Sequence, residues 1–354
     1  MEQTNTEIKL TQYSHGAGCG CKIAPAVLEQ ILKNSIATPD DEKLLVGNSS
    51  KDDAAVYDLG NGSAIISTTD FFMPIVDNPY DFGRIAAANA ISDVYAMGGS
   101  PLLAVAILGW PVDKLPAEIA QQVIAGGKAT CTAANIPLAG GHSIDTQEPM
   151  FGLAVTGLMP VANLKRNDTA REGDLLFLTK PVGVGVLSTA QKRGVITPEL
   201  ATVMVEQMTS LNKIGEQLGA MSSVHAMTDV TGFGLLGHLI EMTEGSGLSA
   251  ELSYSAIQIL PGVKDYMAQR IVPDATYRNW NSYSTKVKFE PGVDVMQAFN
   301  LLPDPQTNGG LLISVAPNAA EEIMHLLEVN GLAQCINPIG KMIAKDEKTI
   351  VVHP

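Results

Sequence analysis

A chain of 354 residues with 45% hydrophobic and 17% charged positions is too apolar and too sparsely charged to be mainly disordered. Its length suggests about two domains, each able to bury a core. The net charge of −14, from 23 basic against 37 acidic residues, argues against a nucleic-acid binder, which needs a basic face to replace counterions, and against attraction to an anionic membrane.

Met1 to Leu10 is polar and lacks the apolar run of a signal peptide. Four cysteines do not make a disulfide framework, so a reducing cytoplasm is the expected compartment. The stretch Ser14-His15-Gly16-Ala17-Gly18-Cys19-Gly20-Cys21-Lys22 sets two thiols and an ammonium among three glycines. A nearby lysine favours the nucleophilic thiolate and can contact a phosphoryl group. A free tail with incidental cysteines accounts for the same composition equally well. Structural zinc fits less, because Cys-x-Cys is tighter than the usual spacing and no second pair exists.

Asp52-Asp53 stands just before an apolar segment. Ser63 to Thr69 is a β-rich run that ends at Asp70, a position typical of a ligand-facing carboxylate. Asp81 to Met97 has helical composition, with Gly98-Gly99 as its stop; Asn89 and Asp93, four apart, share one face. Leu102 to Gly109 is a continuous apolar run suited to a strand in a covered sheet. The longest uncharged run, Val94 to Val112, is interrupted by Gly98-Gly99-Ser100-Pro101 and does not read as a membrane span. Pro116 to Ala134 reads as an alanine-rich helix and Phe151 to Leu158 as a strand. The polar stretch Val161 to Gly173 marks a domain boundary. Beyond it, strands are expected at Leu175–Thr179, Leu311–Val315, around Ile336–Ile343 and at Lys348–Val352, and helices at Pro198–Leu218, Leu235–Thr243 and Ala319–Val329. Strands and helices alternate in both halves, so the class is α/β or α+β.

Gly140-Gly141-His142-Ser143 and Thr307-Asn308-Gly309-Gly310 are glycine-rich turns beside apolar runs, where amides can approach phosphate oxygens; a plain tight turn is the simpler reading of each alone. No Walker loop exists, and Gly183-Val184-Gly185 lacks the third glycine of a dinucleotide fingerprint. Asp53, Asp70, Asp93 and Asp229 are hard oxygen donors of the kind that hold Mg²⁺ together with substrate phosphates, although a single aspartate in such a place is more often a cap or turn residue.

These blocks together resemble the selenophosphate synthetases (selenide, water dikinases) over nearly the whole chain. The carrying residues are Gly16 to Lys22, Asp52 to Tyr57, Ser67 to Phe72, Asn89 to Asp93, Ala139 to Ser143, Asp229 to Gly234 and Asp304 to Gly310. The aspartate and glycine blocks are shared more loosely with an ATP-binding superfamily that includes aminoimidazole ribonucleotide synthetase. The Cys-Gly-Cys-Lys tail singles out the selenium enzymes. Asn308 departs from the serine expected there.

The resemblance implies a flexible glycine-rich N-terminal segment and lead-in over 1–50, an ATP-binding, dimerising α/β domain over 51–160 and a larger C-terminal α/β domain over 170–354. It implies a phosphotransferase that converts ATP, selenide and water to selenophosphate, AMP and orthophosphate, supplying selenium for selenocysteine and selenium-modified tRNA. By position, Cys19 and Lys22 correspond to catalytic residues, and Asp53, Asp93 and Asp229 to Mg²⁺ ligands, with more than one ion expected. Lys22, Ser50, Lys51, Asp52, Asp70, Asp93 and Gly141-His142-Ser143 correspond to nucleotide contacts. Expected partners are ATP, selenide, a second copy in a homodimer and a selenium-delivery protein, with no nucleic acid and no membrane. A monovalent cation is left open. A purine-precursor ligase of the same superfamily, or a nucleotide-binding regulator or selenium carrier without turnover, are the alternatives.

Overall fold

The computed structural model describes residues 8–21, 27, 30, 31, 41–47 and 52–354. Two short 3-10 turns, Leu10–Tyr13 and Gly18–Cys21, lie near its start. Among the described residues the strands form two sheets.

The first sheet has six strands in the order β1-β2-β3-β6-β4-β5. They are β1 (Leu44–Val46), β2 (Ala55–Asp58), β3 (Ser63–Phe72), β4 (Ser100–Trp110), β5 (Leu138–Asp145) and β6 (Met150–Pro160). Helices α1 (Pro79–Ala96) and α2 (Ala117–Ala133) cover one face. Asn78 caps α1 by accepting the Asp81 amide, and Pro79 sits in its first turn, a favoured start. The two helices touch backbone to backbone: a Cβ on Gly83 would stand 1.9 Å from the Val123 carbonyl oxygen, and one on Gly126 1.9 Å from that of Tyr80. Only glycine permits that approach.

The second sheet has seven strands in the order β10-β13-β9-β12-β7-β11-β8. They are β7 (Leu175–Leu178), β8 (Val224–Asp229), β9 (Ser249–Ser253), β10 (Val287–Phe289), β11 (Leu311–Val315), β12 (Gly340–Ile343) and β13 (Ile350–His353). Its helices are α3 (Val184–Lys192), α4 (Pro198–Thr209), α5 (Ile214–Gly219), α6 (Gly234–Gly245), α7 (Val263–Ala268), α8 (Asp274–Tyr283), α9 (Val295–Leu301) and α10 (Ala320–Val329). Leu311, Ile313 and Val315 pack with Ile323 and Leu327 of α10, while Leu312 joins the cluster that holds Leu235 and Leu239 of α6. Covered on both faces, β11 has the unbroken apolar run such a strand needs. Helix α1 serves both sheets, because Ala96 packs with Ile214 and Leu218.

Three expectations change. The helix over Pro198–Leu218 is two helices, α4 and α5, with a break at Ser210 and Asn212. The Ser210 carbonyl there accepts from Lys180 and Asn308, and Asn212 donates to Ser92 and the Gly309 carbonyl, bonds a continuous helix would prevent. Gly140–Ser143 is no tight turn but part of β5, irregular at its glycines (φ 118° and 159°). The run Leu102–Gly109 is a strand, but the sheet is covered on one face only: Phe71, Leu102, Ile144 and Leu158 stay exposed. No helix among the described residues is long and apolar enough to cross a membrane.

Candidate active site

The alternation of β3 sends Thr68 and Asp70 to the face toward α1. The four-residue spacing of α1 turns Asn89 and Asp93 down onto them. Asn89 Nδ2 donates to Asp70 Oδ2 at 2.5 Å, and Thr68 Oγ1 donates to Asp93 Oδ2 at 2.5 Å. Ser92 of the same helix reaches the second sheet, where its hydroxyl donates to Asp229 Oδ2 at 2.5 Å. Asp229 is the last residue of β8, a strand hidden in the sequence by the turn-rich stretch that follows it. Its neighbour Thr228 donates from Oγ1 to Asp53 Oδ1 at 2.9 Å. Asp52 accepts from the amides of Asp53 and Asn167. The two sheets therefore meet at a joint of carboxylates.

The electrostatics of that joint are costly. Burial pushes the Asp53 carboxyl well above the usual carboxylate range, and the charges of Asp229, Asp52 and Asp93 push it further. Burial raises Asp52 to about 7, against two backbone amides that favour its charge. Asp53 Oδ2 is buried and has no hydrogen-bond partner among the described residues. A proton or a cation relieves such a cluster. The donors are all hard oxygens, and the orphaned one faces like charge, so the residues fit a hard divalent ion. Among the described residues no group of three or more His, Cys, Asp or Glu side chains is closed up enough to hold a metal by itself. Mg²⁺ in general takes one or two carboxylates and completes its shell with water and substrate phosphates.

Lys180 escaped the sequence reading, and the block Asp304 to Gly310 entered it without an assigned role at the joint. Lys180 follows β7, is buried, and donates to the carbonyls of Ser210 (2.8 Å) and Asn308 (2.9 Å). Burial lowers its pKa to about 7, opposed by the Asp229 charge. A lysine directly after an apolar strand was its signal. Asn308 sits at φ 49°, a conformation asparagine tolerates better than most residues. Its side chain donates to the carbonyls of Met208 (2.7 Å) and Ser210 (2.8 Å), while its amide donates to Asn89 Oδ1 at 2.7 Å. Serine could not span both carbonyls, so the departure at 308 has a structural use. In the same block, Gln306 Oε1 accepts the amides of Gly183 and Val184, and Asp304 Oδ2 that of Gly185. Together they cap the start of α3.

The remaining sequence candidates lie apart. Gly141, His142 and Ser143 are exposed on the edge strand β5. Gly141 pairs with Ala106, Ala106 with Leu153, and Leu153 with Asp70. Three strand spacings of about 4.8 Å put Gly141 roughly 14 Å from Asp70 within one chain. Cys19 falls in the turn Gly18–Cys21, and its side chain lies outside the described residues, as do Lys22, Ser50 and Lys51. The Gly18 amide donates to the Met73 carbonyl at 3.1 Å, which docks this turn beside the end of β3.

Comparison with known proteins agrees with this architecture. The model of the AIR synthase related protein N-terminal domain matches residues 51–159 and that of the C-terminal domain residues 171–353. Among solved structures, thiamine-monophosphate kinase from Stenotrophomonas maltophilia is 17% identical with a TM-score of 0.63, covering 94% of this chain and 96% of that one. The hydrogenase maturation protein HypE in complex with ATP is 18% identical with a TM-score of 0.64, covering 97% and 93%. At such identities these two show the fold alone. The selenide, water dikinase of Aeromonas hydrophila is 56% identical over 342 residues, 96% of this chain and 97% of its own length. That of Colwellia psychrerythraea is 55% identical over 346 residues, 98% of each. With that identity along almost its full length, and with both AIR synthase related domains present, the chain belongs to the selenide, water dikinase family.

Proposed function

We propose that this enzyme makes selenophosphate from selenide, ATP and water, releasing AMP and orthophosphate, with the nucleotide bound at the carboxylate joint. The near full-length likeness to selenide, water dikinases carries the activity, and the buried, unpartnered Asp53 Oδ2 among the charges of Asp52, Asp93 and Asp229 carries the placement of a cation-bound nucleotide. Cations between its carboxylates and the phosphates let a chain of net charge −14 bind a triphosphate. Asp53, Asp93 and Asp229 would hold Mg²⁺, which neutralises phosphate charge and orients the transferring group when bound. Ser92, Thr68 and Thr228 fix the three carboxylates through the hydrogen bonds above. Asp70, steadied by Asn89, and Asp52 are assigned to the nucleotide, as are Ser50 and Lys51. Lys22 is assigned to the transferred phosphoryl group, and Cys19 to guiding selenium toward it while the N-terminal segment excludes water.

We assign residues 1–50 to that segment and its lead-in, 51–160 to the nucleotide-binding unit and 170–354 to the C-terminal unit, in keeping with the two sheets. The homodimer is assigned to the uncovered face of the first sheet, where Phe71 (47% exposed), Ile144 (55%) and Leu158 (40%) stand in water, a patch of the kind that marks an interface. A second copy would bring its Gly141-His142-Ser143 to the nucleotide that the first copy's Asp70 holds, which accounts for the 14 Å gap within one chain. A cytoplasmic location and selenide delivery by a partner protein belong to the same reading; a monovalent cation has no assigned site.

Purified enzyme given ATP, Mg²⁺ and selenide without oxygen is followed by phosphorus NMR. A selenophosphate resonance with AMP is expected, and Cys19→Ser abolishes both; ADP as the sole nucleotide product sinks the assignment. Ile144→Asp is expected to yield monomers in sedimentation with little activity, and a fully active monomer removes the dimer from the site.

A further inference from the structure

The segment Ser14 to Cys21 has three glycines and so a large conformational entropy to lose on docking. It is nonetheless held from both sides of the cleft. On the first-sheet side His15 Nδ1 meets Glu148 Oε2 at 2.8 Å, and the Gly18 amide is bound by Met73. Gly18 stands at φ 49°, where a Cβ would come within 2.5 Å of Ile75 on this side and 2.6 Å of Thr307 across the cleft. On the other side the contacts are cationic. Lys192 Nζ donates to the carbonyls of Ser14 (3.1 Å), His15 (3.0 Å) and Gly16 (3.1 Å). Arg278 Nη2 donates to that of Gly20 at 2.8 Å.

We propose that Lys192 is a positioning residue of the reaction: its ammonium, gripping three consecutive carbonyls, sets the strap that carries Cys19 over the cleft, with Arg278 as a second latch. An ammonium has three N–H donors, and three carbonyls of one short stretch take them. Lys192 is therefore no spare charge awaiting an anion, although it lines a cavity of about 630 Å³ with His15, Arg193, Arg278 and Asp274. Its base is rigid. It occupies the last turn of α3, whose first turn is pinned by Asp304 and Gln306. The latch thus transmits the position of the second-sheet unit to the thiol-bearing turn. The inference rests on the reading that Cys19 takes part in the reaction.

The test compares Lys192→Met, Lys192→Arg and Cys19→Ser in the full chain, by amide hydrogen exchange over residues 14–21 and by kcat and KM for ATP. Lys192→Met is expected to speed exchange of the Gly18 amide and to lower kcat about 10- to 100-fold, as misplacement of a reacting group does. KM for ATP stays nearly unchanged, because the carboxylate joint is intact. Lys192→Arg should behave like the methionine variant, since a planar fork cannot converge on three carbonyls; full activity in it overturns the latch. Unchanged exchange in Lys192→Met overturns it as well, and so does faster exchange with kcat intact. If Cys19→Ser keeps its selenide-dependent AMP formation, the functional reading fails, and the positioning role falls with it. The exchange data then still decide whether Lys192 holds the strap.

Discussion

At the carboxylate joint, Asp53, Asp93 and Asp229 come from a loop, a helix and a strand end that pack against one another, each acid oriented by a hydroxyl from a neighbouring element. The strap from Ser14 to Cys21 has one short 3-10 turn and hangs on a handful of polar contacts. The difference is physical. Carboxylates that repel one another stay together only on a stiff scaffold, and they are useful only if they are already together when the nucleotide arrives. The strap has to admit substrate and then close. Its exposed His15–Glu148 pair contributes little, so release costs on the order of 3 kcal/mol, mostly from the Lys192 and Arg278 bonds. An opening of that size is compatible with turnover.

The comparison breaks first at Asp53. Asp53→Asn is expected to lower AMP formation on the order of 10²-fold or more, yet to raise the melting temperature of the metal-free chain near pH 8, because it removes a strained buried charge. The sign follows from linkage. Asp52, raised to about 7, Asp304, raised by burial to about 8, and Asp53 all hold protons more tightly folded than unfolded. Their ionisation therefore destabilises the fold, and stability present at low pH is lost as pH rises from about 4 to 8. In chelator the melting temperature should fall across that window; Mg²⁺ should flatten the fall, and Asp53→Asn should reduce it. A profile that rises with pH would contradict the joint as described.

Lys192→Met is the intermediate case and the cleanest contrast with Asp53→Asn: a smaller loss of kcat, with no gain in melting temperature. Asn308→Ser sharpens the joint at the lowest cost. It removes the side-chain donor to the Met208 carbonyl and one of the two donors to that of Ser210, which keeps Lys180, and the variant should be about 1–3 kcal/mol less stable in urea. KM for ATP should rise, because serine holds φ 49° less readily and the backbone amide that donates to Asn89 Oδ1 shifts with it. Unchanged stability would mean that water replaces the asparagine without loss.

Much of the chemistry was legible because it is local. The four-residue spacing of α1 already placed Asn89 and Asp93 on one face, and the β-rich run ending at Asp70 marked that carboxylate; that they face each other, with Thr68 between, was shown by the packing. The glycine–cysteine–lysine tail set the selenium enzymes apart from their superfamily. The ending of β8 at Asp229 was obscured, since a short strand running into Thr231-Gly232-Phe233-Gly234 looks like a turn. The break between α4 and α5 was invisible, because the residues that need the Ser210 carbonyl, Lys180 and Asn308, lie 30 and 98 positions away.

What the sequence determined by itself is therefore the inventory: which acids, glycines and thiols exist, on which kind of element, and to which family they belong. The meeting of these parts was decided by the tertiary structure. Ser92 finds Asp229 across 137 positions, Asp53 finds Thr228 across 175, and Lys192 finds Ser14 across 178. Backbone periodicity constrains neighbours only a few residues apart. Contacts at such separations are set by how the two sheets share α1, and by the burial that makes an unpaired carboxylate oxygen costly enough to call for a cation.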